Sequence, residues 1–248
     1  QVRPNATHPA DLQLDSWPSC LNRRLISISH APTNGGLVNP AAEIGAIARK
    51  HGILYLLDAC QTVGQMPLDV QELGCDFLAA TGRKYLRGPR GSGFLYVRKK
   101  LLDEGLEPPM IDHHASPWVS LDRSELRADA RRFENWEFNY AAVLGLGAAV
   151  DYALALGLDS IRDRIVALSA GVRAALDALP GVVLRDLGGV NHQCGLVTFN
   201  VEGLESADVM AQLKERGVVV SVSGPSSTLC APRTQPQTRI CPNVFEQP

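Results

Sequence analysis

The sequence predicts an α/β protein: a mostly parallel sheet with helices over residues 1–157, a small C-terminal α/β domain over 158–222, and an irregular tail over 223–248. Three observations predict it. Strand-like and helix-like stretches alternate through the first half. One of the strands, residues 53–57, is a nearly continuous apolar run, which suits a parallel sheet covered on both faces. A long amphipathic stretch, 158–179, then leads into a second set of short strands.

Residues 25–29 (Leu-Ile-Ser-Ile-Ser) are a short β-prone run. From 40 to 50 the apolar residues Ala41, Ile44, Ile47 and Ala48 recur at helical spacing, with Pro40 suited to the first turn and Gly52 to the stop. With strand 53–57 this completes a βαβ unit. Residues 68–73 predict a short helix ending at Gly74, and 77–81 and 93–97 predict two further strands. The stretch 139–156 is rich in Ala, Leu and Gly and predicts a helix buried on much of its surface. In 158–179 Ile161, Ile165, Leu168, Val172, Leu176 and Leu179 form one stripe, stopped by Pro180-Gly181. Strands at 182–184, 196–201 and 218–222 and a helix at 207–216, closed by Gly217, make up a small α+β or α/β domain. From Ser223 onward Pro, Ser, Thr, Gln and Arg without periodicity predict irregular structure.

Composition narrows the function classes. A chain of 248 residues with 45% hydrophobic and 20% charged residues has the make-up of a globular protein with a sizeable core. The net charge of -2 argues against a nucleic-acid or membrane surface. The short clusters Arg98-Lys99-Lys100 and Arg131-Arg132 read as solvated faces. Six cysteines without C-x-x-C spacing read as reduced thiols in a cytosolic compartment. The most apolar run, 141–150, is far shorter than the roughly 20 residues of a membrane helix. The sequon Asn5-Ala6-Thr7 carries no weight, because nothing else points to secretion.

In open α/β sheets ligands sit outside the carboxyl ends of the strands. His30, Asp58 and the loop from Thr81 to Lys84 each follow a strand, so three candidate groups are expected to converge on one crevice. The Gly88–Gly93 stretch lacks the Lys-Ser/Thr pair of a phosphate-cradling loop and reads as a tight turn. His113-His114 reads as a loop pair, since adjacent side chains rarely converge on one metal ion. Cys60 lies within the candidate site and is expected to pack there as a small apolar group.

Several ordered motifs carry a family resemblance: Ser29-His30-Ala31-Pro32-Thr33-Asn34-Gly35-Gly36, Asp58-Ala59-Cys60-Gln61, the segment from Asp69 to Phe77, the lysine loop Thr81-Gly82-Arg83-Lys84, and Phe133-Glu134-Asn135-Trp136-Glu137. From about Leu25 to Val222 the chain resembles class V aminotransferases of the fold-type I pyridoxal phosphate enzymes, a group that includes cysteine desulfurases, selenocysteine lyases, isopenicillin-N-epimerase-like proteins and a C–S lyase of ergothioneine synthesis. An amine able to form a Schiff base and a carboxylate able to hold a pyridinium proton are the two groups such an enzyme cannot do without. The resemblance implies that Lys84 is the Schiff-base lysine and Asp58 the partner of the pyridine nitrogen. It further implies that Gln61 and Thr33 approach the cofactor's phenolic oxygen, that Thr81 and Arg83 bind its phosphate, and that His30 faces it. Pyridoxal 5'-phosphate, an amino-acid substrate and a homodimer are the implied cofactor and partners, with neither nucleic acid nor membrane.

The departures from the family pattern shape the expectations equally. The chain opens with Gln1, and the family segment expected before Leu25, which helps to hold the phosphate and stacks on the pyridine ring, is read as missing. Beyond Thr228, Arg233 and Arg239 lack the context of the family's substrate-binding arginine, and Trp136-Glu137 stand where desulfurases present a threonine to the partner subunit's phosphate. Two readings therefore stay open: an enzyme working through Lys84, with C–S lyase or desulfurase, epimerase or transamination chemistry, and a catalytically silent remnant with exposed apolar strand edges.

Overall fold

The computed structural model describes residues 24–223 and 237–240. Strand β1 (Leu25–Ser29) leads through helix α1 (Ala41–Lys50) to β2 (Leu54–Asp58), and the short helix α2 (Val70–Leu73) leads to β3 (Phe77–Thr81). These three strands are parallel and lie in sequence order. Strand β4 (Gly93–Val97) returns antiparallel beside β3, which makes the sheet mostly parallel. The Lys84 loop is thus the connection between β3 and β4, and it emerges at the carboxyl edge of the parallel strands.

The core lies under α1 and α2, where Ile44, Ala48, Tyr55, Leu57, Leu73 and Leu78 pack together. Helix α2 is shorter than the predicted 68–73 because the Asp69 side chain accepts a hydrogen bond from the Gln71 N–H at 2.7 Å and fixes the first turn there, a cap worth about 1 kcal/mol. Helix α3 (Lys99–Asp103) was not predicted. It is one short charged turn, with exposed Lys99–Asp103 and Lys100–Glu104 pairs and no apolar periodicity to reveal it.

The predicted basic clusters are only partly solvated. Arg98 reaches inward to Asp76 at 3.1 Å and to the Cys75 carbonyl at 2.6 Å. Arg131 is exposed and pairs with Asp129, whereas Arg132 is buried, donating to the Arg127 carbonyl at 2.7 Å and the Leu106 carbonyl at 2.8 Å. Carbonyl acceptors, which sequence does not display, make that burial tolerable.

Helix α4 (Tyr140–Leu156) corrects another expectation. Only Ala142, Leu146 and Ala153 are buried, while Leu144 is 76% exposed and Val143, Tyr152, Leu154 and Leu156 also face solvent. An apolar composition marks a surface able to be covered, but not whether this chain covers it. Leu25, Phe94 and Leu95 on β1 and β4 are exposed as well. No single helix among the described residues is long and apolar enough to cross a membrane, and α4 meets α5 (Leu158–Asp177) at 79° across Gly157.

Helix α5 packs on a second sheet built from β5 (Val182–Leu184), β6 (Val197–Val201), β7 (Ser221–Ser223) and β8 (Gln237–Ile240), with α6 (Ser206–Glu215) beside it. The sheet order is β5-β6-β8-β7 and every pairing is antiparallel, so this lobe is of the α+β kind rather than α/β. Strand β8 lies inside the stretch predicted to be irregular. It is defined by pairing on both sides rather than by any apolar pattern of its own. Strand β7 starts later than predicted because the Val218 N–H turns back to the Leu213 carbonyl and closes α6.

Candidate active site

The pairing register aligns the ends of the parallel strands, with Ser29 opposite Asp58 and Asp58 opposite Ala79. His30, Asp58 and Thr81 therefore stand at one edge, and their loops interlock. The His30 N–H donates to the Asp58 carbonyl at 2.8 Å, and the Ala59 N–H to the Ala79 carbonyl at 2.9 Å.

Asp58 is half-buried at the end of β2, and its Oδ1 accepts the Cys60 N–H at 2.9 Å. The Cys60 side chain also lies in the field of the Asp58 carboxylate, with the Lys84 charge and the Thr81 backbone acting on it in the opposite sense. Desolvation first, and then Asp58, push this thiol up to about 11. Cys60 is thus a protonated, uncharged thiol beside Asp58. Lys84 is half-buried and has neither a hydrogen-bond nor an ion-pair partner among the described residues.

Gln61 is buried, and its Nε2 donates to Thr33 Oγ1 at 3.0 Å. His30 is 5% exposed, with Nδ1 3.0 Å from Thr62 Oγ1. The Thr62 hydroxyl lies 3.4 Å from the Ala59 carbonyl. If that hydroxyl donates to the carbonyl, it accepts from an Nδ1–H, which leaves Nε2 of His30 as the acceptor nitrogen. Burial holds this imidazole down at about 4, so it is neutral at physiological pH. Thr81 Oγ1 lies 3.5 Å from the Ser92 carbonyl, and Arg83 is exposed without a hydrogen-bond partner among the described residues.

Six of the seven predicted residues thus line this edge in mutual contact or through shared neighbours, while Arg83 faces solvent. Sequence reading missed what joins the loops. Gly64 adopts φ +85, and a Cβ there would stand 2.7 Å from the Tyr85 carbonyl carbon and the Leu86 nitrogen. The Gln61 turn therefore rests directly on the backbone of the Lys84 loop. That loop is braced in turn by the Gly88 N–H to Gly82 carbonyl bond at 2.7 Å and by Leu146 of α4, which packs against Gly82 and Gly88. Thr62, Gln65 and Gly195 carried no sequence signal, since single polar residues and glycines match no motif.

His113 stacks on Trp136 with centroids 4.6 Å apart, and His114 Nε2 lies 3.4 Å from Glu134. Among the described residues no group of three or more His, Cys, Asp or Glu side chains is disposed to hold a metal.

Comparison with known proteins bears on this edge. The family model for aminotransferase class-V matches residues 4–240. A probable cysteine desulfurase of Halalkalibacterium halodurans is 36% identical over 197 residues, 79% of this chain and 47% of that protein. The chain thus spans about half the length of the curated relatives it matches. The apo structure of cysteine desulfurase from Thermococcus onnurineus NA1 is similar with a TM-score of 0.81 and 30% identity, over 90% of this chain and 56% of that one. A C-DES variant, solved with glycine covalently linked to its pyridoxal phosphate cofactor, is similar with a TM-score of 0.78 and 26% identity, over 91% of this chain and 57% of that one.

Proposed function

Because the chain belongs to the class V aminotransferase family, we propose that it works as a pyridoxal-phosphate-dependent enzyme on a small amino acid, with Lys84 as the attachment point and C–S bond cleavage of a cysteine-like substrate as the first chemistry to test. The observation that carries this reading is that a half-buried, unengaged Lys84 amine and a carboxylate, Asp58, both act on Cys60 at one strand edge. The donor set fits the cofactor: one amine, one carboxylate, an amide and hydroxyls. When bound, pyridoxal phosphate supplies an electron sink next to the substrate's amino group.

The chain's own residues do the rest. Asp58 would hold a proton on the pyridine nitrogen, and the Cys60 N–H steadies its carboxylate. Gln61 and Thr33, hydrogen-bonded to each other, would approach the phenolic oxygen together. Thr81 and Arg83 serve the phosphate, with Arg83 swinging in from solvent. His30, neutral and fixed by Thr62, closes the crevice from the β1 side. Lys84 would be the base that moves the proton from the substrate's carbon. We assign the chain to a cytosolic compartment, and a second copy of it to the apolar face of α4. Relatives named as desulfurases favour sulfur amino acids, while epimerase and transamination chemistry use the same groups.

The test is the visible spectrum of the purified chain with pyridoxal phosphate, followed by borohydride reduction and peptide mapping. A label confined to Lys84 and lost in Lys84→Ala supports the reading. A folded chain without a visible band or label overturns it in favour of the silent remnant.

A further inference from the structure

We infer that Gln65 is a positioning residue, through which the second lobe sets the pose of Gln61 and of the Lys84 loop. The inference rests on the proposed roles of Gln61 and Lys84.

Gln65 is fully buried, and both ends of its amide are engaged. Its Oε1 accepts the Gly195 N–H at 2.9 Å, and its Nε2 donates to the Gln61 carbonyl. A buried amide left unsatisfied is costly, so this side chain holds two segments far apart in sequence in one relation. Gly195 sits just before β6, and Gln61 heads the turn that carries the proposed cofactor contact. The turn is itself stiff, with the Thr62 and Val63 N–H groups on the Ala59 carbonyl and the Gln65 and Met66 N–H groups on the Thr62 carbonyl. A shift of Gly195 is therefore passed to Gln61 rather than absorbed.

The same point reaches Lys84. A Cβ on Gly195 would stand 2.7 Å from Ile165 Cγ2, 3.2 Å from the Tyr85 hydroxyl and 3.3 Å from Gln65 Oε1. Tyr85, covalent neighbour of Lys84, packs against the cluster of Ala153, Ile161 and Ile165. Gly64, next to Gln65, abuts the Tyr85–Leu86 peptide. The loop that carries Thr33 is tied to the same lobe at Gly36, since the Cys194 N–H donates to the Gly36 carbonyl at 2.7 Å and the Gly36 N–H donates to Asp186 Oδ1 at 3.2 Å. Asp186 is in turn held by the partly buried Arg173 at 2.7 Å. Gln61, Thr33 and Lys84 are thus all positioned against the stretch 194–196.

The experiment compares wild type, Gln65→Leu and Gln65→Glu for pyridoxal phosphate affinity and for the pH midpoint of the visible band, with thermal melting to establish folding. Gln65→Leu removes both hydrogen bonds and should weaken affinity about tenfold or more and move the midpoint. Gln65→Glu is nearly isosteric and keeps the acceptor for Gly195, but as a carboxylate it faces the Gln61 carbonyl without a proton. Burial raises its pKa, so acidification restores the donor, and its affinity relative to wild type should recover as pH falls, while that of Gln65→Leu should not. Should Gln65→Leu fail to fold, the Glu variant carries the test alone. Wild-type labelling on Lys84 with both folded variants unchanged would overturn the positioning role alone. Weakened binding in the Glu variant without recovery at low pH would also overturn it, leaving plain packing. Absence of a label in wild type would overturn the proposed function and this role with it.

Discussion

His30 shows how one buried residue makes the site answer to pH. Its ordinary value in an unfolded chain is near 6.5, and burial lowers it to about 4 in the folded one. Between those values the unfolded chain binds the extra proton, so stability rises with pH there. The contribution is complete above about 6.5 and is lost as pH falls toward 4, amounting to about 3 kcal/mol at most. Urea unfolding at pH 7 and pH 4.5 should show this loss in wild type and a clearly smaller one in His30→Gln; equal losses would mean that the imidazole is hydrated in the folded chain. At this scale the residues of the candidate site were legible in the sequence: Lys84, Asp58, Gln61, Thr33, Thr81, Arg83 and His30 stand in ordered motifs, and all but Arg83 fall at one edge. Their partners were not. Thr62 under His30 and the Cys60 N–H on Asp58 are matters of distance, which neighbouring letters do not encode.

Loops and helices, more than strands, decide whether these side chains meet. The turn at Gly64 lies against the peptide after Tyr85 with positive φ, so Gly64→Ala adds both backbone strain and a clash with main chain that cannot swing away. We expect a loss of about 2–4 kcal/mol in chemical denaturation; near wild-type stability would mean that the two loops are not held in contact. Helix α4 makes the opposite kind of prediction. Leu144 is 76% exposed, so Leu144→Glu should change the stability of the single chain by no more than about 0.5 kcal/mol. It should nonetheless sediment as a smaller species than wild type, because the apolar face is the one assigned to a second copy. Identical sedimentation of the two would place any self-association elsewhere. The helix's existence and its Asn139 start, where Oδ1 accepts the Ala142 N–H at 3.0 Å, follow from local preference. Its exposure does not, since apolar composition reports the tendency to be covered and not the presence of a cover.

Across the whole molecule, two lobes with different sheets share one seam, which runs through Gly36, Gln65, Gly195 and the Arg173–Asp186 pair. The second sheet depends on its sequence-distant strand: β8 pairs with both β6 and β7, and β7 has no other strand partner among the described residues. Ending the chain after Pro236 should therefore speed amide exchange in β6 and β7 while leaving β1 to β3 protected as before. Uniform exchange across both lobes would show that they unfold as one unit, and unchanged β6 and β7 would show that β8 adds nothing to them. The sequence by itself determined the α/β alternation, the parallel strands of the first sheet and the family. These depend on periodicity, backbone preference and motif order, all of which are local. Only the tertiary structure decided the antiparallel second sheet, the strand in the tail, the buried Arg132, the uncovered face of α4 and the Gln65 junction, because each depends on which distant segment supplies a hydrogen-bond partner or a packing surface.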